Sequence, residues 1–299
     1  MFFDSHTHLN CEAYSDRERR AVINTIENSK VDYAVDVGTD LGSSFLTVQL
    51  VKELLWCYGA VGYHPHYADQ MGDTELMMIK SLAKKDKIAA IGEIGLDFHY
   101  DNSERDNQRK AFRKQIRLAN ELMMPIMIHS RGADQETMNI LKEEGAFSDE
   151  RKRCFAGRRV PEGGKEWAGC SGDARVMLHC YSGSAEMGRQ YVKLGATLSI
   201  AGPVTYRNNK KTISVVEQIS IEFLLVETDA PFLAPEPLRG KKNVSPYIEH
   251  TVKKIAEIKD IDLEKATDET KKNAMVFFLC RSEERRVGKE CRSRWSPYH

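Results

Sequence analysis

Eight short apolar runs punctuate the chain, near residues 2–4, 33–37, 57–62, 88–92, 125–128, 175–179, 196–200 and 223–227. They are continuous rather than alternating, the pattern of strands covered on both faces. Helical periodicity follows most of them, near 15–29, 43–54, 74–85, 103–122, 134–144, 185–194, 210–219 and 246–278, the last broken around Asp260 to Asp262. Strand–helix alternation repeated eight times predicts a closed parallel α/β barrel, a TIM-type (β/α)8 fold, in one domain spanning 1–280. Gly145 to Asp173 breaks the rhythm: it is rich in Gly, Arg, Lys and Glu and lies between the fifth helix and the sixth strand. It is expected to be a surface insertion at the end of the barrel opposite the catalytic mouth. Its basic cluster, Arg151-Lys152-Arg153 with Arg158-Arg159, reads as a solvated charged loop, with nucleic-acid contact as the alternative.

Five of the apolar runs lead into residues that ligate metals. Phe2-Phe3-Asp4 precedes His6 and His8; the run at 88–92 precedes Glu93; Pro125-Ile126-Met127-Ile128 precedes His129; Val176-Met177-Leu178 precedes His179; and Phe223 to Thr228 precedes Asp229. His6 and His8 are two apart, so both imidazoles can face one side of a strand. Six ligands exceed the three that a catalytic zinc takes from protein, so two ions sharing a carboxylate fit better. Glu93 is then the expected bridge, with His6, His8 and Asp229 on one ion and His129 with His179 on the other. Asp229 also suits a general base toward the attacking water. Nitrogen and oxygen ligands together suit zinc or manganese, with magnesium where water completes the shell. Nearby, His64, His66 and Arg131 are candidates for contact with a phosphate or a scissile oxygen. Asp97 and His99 are expected to orient the ligands, and Asp4 to orient one of the first two.

Charge narrows the partners. Basic and acidic residues both total 44 in 299, so no global basic field favours non-specific coating of nucleic acid, whereas a gripped strand end remains compatible. Seven cysteines without a C-x-x-C pair suggest mostly reduced thiols in a cytoplasmic protein, with a local Cys154–Cys170 pairing as the disfavoured alternative. No signal peptide or membrane-length apolar run is evident, and no obligate protein partner is implied. Residues 281–299 read as a translated sequencing adapter rather than native chain. Without their six basic and three acidic residues the balance is 38 against 41, a net of −3.

In combination, these motifs resemble the TatD family of metal-dependent deoxyribonucleases, within the amidohydrolase-like superfamily. The likeness runs in register from residue 1 to about 280. It is carried by Asp4-Ser5-His6-Thr7-His8-Leu9, Gly62-Tyr63-His64-Pro65-His66, Gly92-Glu93-Ile94-Gly95-Leu96-Asp97-Phe98, Ile128-His129-Ser130-Arg131, His179-Cys180-Tyr181-Ser182-Gly183-Ser184 and Glu227-Thr228-Asp229-Ala230-Pro231-Phe232-Leu233-Ala234-Pro235. Arg239-Gly240-Lys241 and Asn243-Val244-Ser245-Pro246 follow. The resemblance implies a TIM-barrel hydrolase cleaving DNA phosphodiesters, often from 3′ to 5′, with two metals and Glu93 in the bridging position. The 145–173 segment is longer than in many members. Two other functions stay open: hydrolysis of another ester or amide, such as an aminoacyl ester on transfer RNA, and a metal-binding scaffold without catalysis.

Overall fold

The structure is a computed structural model that describes residues 1–155 and 172–279. Arg158, Arg159, Cys170 and the tail 281–299 lie outside the described residues. Eight strands appear in chain order: β1 (Phe2–Thr7), β2 (Val31–Val37), β3 (Cys57–Val61), β4 (Ile88–Asp97), β5 (Ile126–Arg131), β6 (Val176–Leu178), β7 (Ala196–Ile200) and β8 (Leu224–Val226). Each pairs in parallel with the next. The last seam is nearly closed. Thr7 bridges to Ala230, the His8 N–H donates to the Ala230 carbonyl, and the Asp229 N–H donates to the His6 carbonyl. This is the predicted (β/α)8 barrel.

Helices α1 (Asp16–Glu27), α2 (Leu41–Glu53), α3 (Asp73–Ala83), α4 (Arg105–Leu122), α5 (Asp134–Glu143), α6 (Asp149–Cys154), α7 (Ala185–Leu194), α8 (Lys210–Gln218), α9 (Ile248–Lys259) and α10 (Leu263–Leu279) connect the strands or follow the last one. Polar caps set several starts. Ser15 and Glu18 form a reciprocal capping box at α1, and Ser184 accepts from the Met187 N–H at α7. The expected break near Asp260 is real: Asp260 adopts φ +51° and ends α9.

Two apolar layers hold the fold. Inside the barrel, Phe3, Val35, Ala60, Met127, Met177 and Leu225 pack on Phe277 and Phe278 of α10. Phe3 and Phe278 stack at 5.8 Å, so α10 floors the barrel. The outer layer, between strands and helices, includes Val61, Ile91, Ile128, Leu198 and Val216.

Two expectations from sequence need correction here. Glu93 does not end its strand: β4 continues four residues further, because Ile94 to Asp97 pair with Ile128 to Arg131 of β5. The pairing depends on Gly95, at φ +150°, where an added Cβ would lie 1.8 Å from the His129 carbonyl oxygen. Gly95→Ala is therefore expected to destabilise the fold by ~3 kcal/mol or more and to displace His129. Thermal unfolding together with metal binding checks both parts.

The 145–173 segment is not simply surface. Its residues 149–154 form α6, and Arg151 is fully buried. The Arg151 guanidinium donates to the carbonyls of Ala119, Met124 and Ala174 and to Asn120 Oδ1. It thereby ties the end of α4 to the segments that lead into β5 and β6. Burial lowers the Arg151 pKa to about 10. A residue read as a solvated charge is thus a buried clamp, held opposite the mouth as expected for the segment. Cys154 is a free thiol.

Candidate metal centre

The period of two along β1 brings the His6 and His8 rings to the same side, with their Nε2 atoms 3.1 Å apart. Glu93 reaches them from β4. Its Oε2 lies 3.4 Å from His6 Nε2 and 3.8 Å from His8 Nε2. Its other oxygen, Oε1, lies 2.8 Å from both His129 Nδ1 and His179 Nε2. Asp229 completes the first group, with Oδ1 3.4 Å from His8 Nε2 and 3.6 Å from His6 Nε2. Asp229 sits at φ +56°, a conformation Asp tolerates better than most residues. All six predicted ligands therefore meet, although they lie up to 223 positions apart in the chain.

The surroundings set the ring orientations. His8 Nδ1–H donates to the Val37 carbonyl at 2.8 Å. His129 Nε2–H donates to Asp97 Oδ2 at 3.2 Å, and His179 Nδ1–H to Glu227 Oε1 at 3.1 Å. These tautomers follow from the partners, and in each the lone pair of the other nitrogen faces Glu93. His129 Nδ1 and His179 Nε2 are 3.3 Å apart. Lone pairs converging on one another and on two carboxylates require positive charge among them. His6 adds a buried Nδ1 with no hydrogen-bond partner.

The electrostatics agree. Burial pushes the Glu93 carboxyl up, but the fields of His179 and His64, and hydrogen bonds from His129 and His179 when those rings carry a second proton, hold it well below the usual carboxylate range. Burial likewise raises Asp229, and His8, His179 and His6 outweigh it. Burial opposes charge on His8, yet Asp229 and Glu93 push it up to about 9. His179 is raised by Glu93 and Glu227 despite its burial. His6 is lowered, first by burial and then by His179. The cage calls for positive charge that protons or cations can supply. The donor set of imidazole nitrogens and carboxylate oxygens fits a divalent metal. His6, His8 and Glu93 gather closely enough to hold an ion.

The remaining predicted residues divide. His64 Nδ1 accepts from the His66 N–H, which leaves the proton on Nε2, 3.5 Å from Glu93 Oε1. His64 is thus arranged as a donor at the cage rather than as a ligand. His66 Nε2–H donates to Asp97 Oδ2 at 2.9 Å. Arg131 lies on the exposed rim, its guanidinium 4.5 Å above the Tyr100 ring, outside the cage. Asp97 orients His129, as expected. Asp4 touches no ligand ring and reaches His6 only through its backbone N–H at 3.4 Å: its carboxylate also accepts from the Thr228 N–H and hydroxyl, joining β1 to the chain beyond β8. Burial pushes Asp4 up to about 7. His99 is exposed and only its backbone N–H reaches Asp97. Glu227 was missed as a site residue. It is fully buried and fixes His179, and the signal was a carboxylate closing the apolar run Phe223 to Val226.

Asp97 offers a direct test of ring orientation. Its Oδ2 takes N–H groups from His129 and His66 together, and its Oδ1 takes the N–H of His99 and Tyr100. In Asp97→Asn, one acceptor becomes a donor facing another donor. Metal affinity is expected to fall by roughly 10- to 100-fold with little change in fold, as titration calorimetry and circular dichroism would report.

Comparison with known proteins places this geometry. The family described as TatD related DNase matches residues 3–279. The metal-dependent hydrolase YabD of Bacillus subtilis is 39% identical over 278 residues, covering 93% of this chain and 99% of that one. The metal-dependent hydrolase TatD of Mycobacterium tuberculosis is 32% identical over 261 residues, covering 85% and 89%. Among solved structures, the TatD homologue YJJV of Escherichia coli superposes with a TM-score of 0.79 at 22% identity, covering 93% and 98%. The phosphotriesterase homology protein of Escherichia coli, solved with phosphate in its active site, shares the fold with a TM-score of 0.65 at 12% identity, covering 93% and 98%. Among the described residues no helix is long and apolar enough to cross a membrane. The match across almost the whole chain, on a barrel whose strands bring the six ligand-type residues together, makes this chain a member of the TatD family of metal-dependent hydrolases.

Proposed function

We propose that the protein hydrolyses phosphodiester bonds at DNA ends, releasing nucleotides from the 3′ end. One observation carries the reading: the Glu93 carboxylate is divided, Oε2 toward His6 and His8 and Oε1 toward His129 and His179. A carboxylate shared between two nests of ligands suits two divalent cations, with magnesium, manganese or zinc as candidates. His6, His8 and Asp229 would hold one, His129 and His179 the other, and Glu93 both. Such a pair supplies an activated water at neutral pH and offsets the charge that builds on a phosphoryl group during displacement.

The chain's own residues do the rest. Asp229 is placed to take the proton of the attacking water, and the surrounding imidazoles keep it ionised for that task against its burial. His64 presents its Nε2–H toward the cage and is suited to a phosphate or leaving oxygen. His66 is held against Asp97, and Arg131 offers a fork to a phosphate from the rim. The family's description as a deoxyribonuclease supports DNA as the substrate.

The test is release of nucleotides from labelled single-stranded DNA under magnesium, manganese and zinc, before and after chelation. Chelation is expected to abolish release and added metal to restore it. DNA left intact under every metal, beside deacylation of charged transfer RNA, would transfer the same cage to carbonyl chemistry and end this reading.

A further inference from the structure

On this protein's helical faces, basic side chains are commonly matched by acids. Arg109 pairs with Glu136, Arg113 with Glu143, and Lys114 with Asp73. The end of β5 and the loops beyond β7 and β8 differ. Arg131, Arg207, Arg239 and Lys241 are exposed there, and none has an ion-pair partner among the described residues. Glu236 in these loops and Asp134 at the start of α5 do not pair with them. In a chain of zero net charge, unpaired cations gathered on the loops of one barrel face form a local field for an anion.

Aromatic rings lie among these cations. Phe232 is 51% exposed, with its ring centroid 6.2 Å from that of His8. Its backbone is fixed at both groups: its N–H donates to the Asp229 carbonyl at 2.8 Å, and its carbonyl accepts from Asn243 Nδ2 at 2.7 Å. A single exposed Phe is ordinary. A Phe whose backbone is pinned to the general-base candidate while its ring stands in solvent is a presented surface. Nearby, the Arg239 guanidinium lies 4.5 Å over the Tyr206 ring, and the Tyr206 hydroxyl donates to the Ala234 carbonyl. The Glu236 N–H donates to Thr205 Oγ1, so the loops beyond β7 and β8 are joined.

We infer that these loops form a track for one nucleic-acid strand, with Phe232 as the platform for a base beside the scissile phosphate and Arg239 and Arg207 as contacts to further phosphates. The inference rests on the phosphodiesterase reading above and specifies its substrate-binding residues. Alternating aromatic faces and guanidinium groups match the chemistry of a strand with free bases. A base already stacked and paired in a duplex has no free face for Phe232. The cage is recessed below this rim, with Asp229 and Glu93 side chains 13% and 4% exposed. A splayed single-stranded end can reach it while its neighbouring base rests on the rim.

The experiment compares a short labelled oligothymidylate with bis(para-nitrophenyl) phosphate, which lacks a base. In Phe232→Ala, KM for the oligonucleotide is expected to rise about tenfold, more than kcat falls, with recovery in Phe232→Trp. The ratio of kcat/KM for the oligonucleotide to that for the small diester should fall at least as far as about fivefold. In the Arg207→Gln, Arg239→Gln double variant, the salt slope of oligonucleotide binding should flatten by ~0.7 for each lost phosphate contact. Unchanged KM and unchanged salt slope in both variants would overturn the track while leaving the phosphodiesterase reading intact. If the wild type cleaves neither substrate, that reading fails. Fluorescence anisotropy of the same oligonucleotide under chelation then decides the track: binding weakened by Phe232→Ala supports it, and no binding to the wild type ends it.

Discussion

Glu93→Gln is expected to lower kcat/KM by on the order of 10³-fold, equivalent to about 4 kcal/mol of transition-state stabilisation. The size follows from what the carboxylate does. Its two oxygens face two groups of imidazoles, within 2.8 Å on one side and 3.4 to 3.8 Å on the other. Glutamine keeps the volume but removes the charge, and it sets an amide donor against lone pairs. The variant should therefore bind fewer metal ions, as elemental analysis after dialysis would measure. It should also keep its fold, because four imidazoles without a carboxylate titrate to neutral rings rather than collapse. A variant that retains both metal and turnover would remove Glu93 from the centre of the mechanism.

Asp229→Asn is expected to show a different signature. Asparagine tolerates the positive φ that residue 229 requires, so the backbone bond to the His6 carbonyl should persist. Loss of a general base costs about 10² to 10⁴ in kcat, with a smaller effect on KM. Metal should be largely retained, since His6, His8 and Glu93 remain. The contrast between the two variants separates holding metal from moving a proton. Steady-state kinetics beside metal stoichiometry distinguishes them, and equal metal loss in both would make Asp229 a ligand and nothing more.

Much of this was legible before any coordinates. Continuous apolar runs gave the barrel, because strands covered on both faces have no polar side to show. The convergence of the six candidate ligands was readable because imidazoles and carboxylates at the ends of apolar runs are costly without a purpose. What escaped was set by partners distant in sequence. Arg151 looked like one charge in a basic cluster, and only the carbonyls of Ala119, Met124 and Ala174 explain its burial. Glu227 stood two residues from Asp229, and only the His179 ring reveals its role. His99 and Asp4 were near ligands along the chain, yet one is exposed and the other bonds to Thr228. β4 outran its predicted end because a strand's length depends on its neighbour as much as on itself.

The seam between the first and last strands has a consequence for biogenesis. His6 and His8 stand on one side of it and Asp229 on the other, and Phe3 meets Phe278 beneath. During vectorial synthesis the opening strand can pair with β2 early, but its other edge must wait for nearly the entire polypeptide to leave the ribosome, a topology that slows maturation. An ion held by His6, His8 and Asp229 across that junction would act as a clasp, favouring the completed ring over its opened forms by mass action. Metal supply in the cell would then govern the persistence of the mature enzyme as well as its turnover.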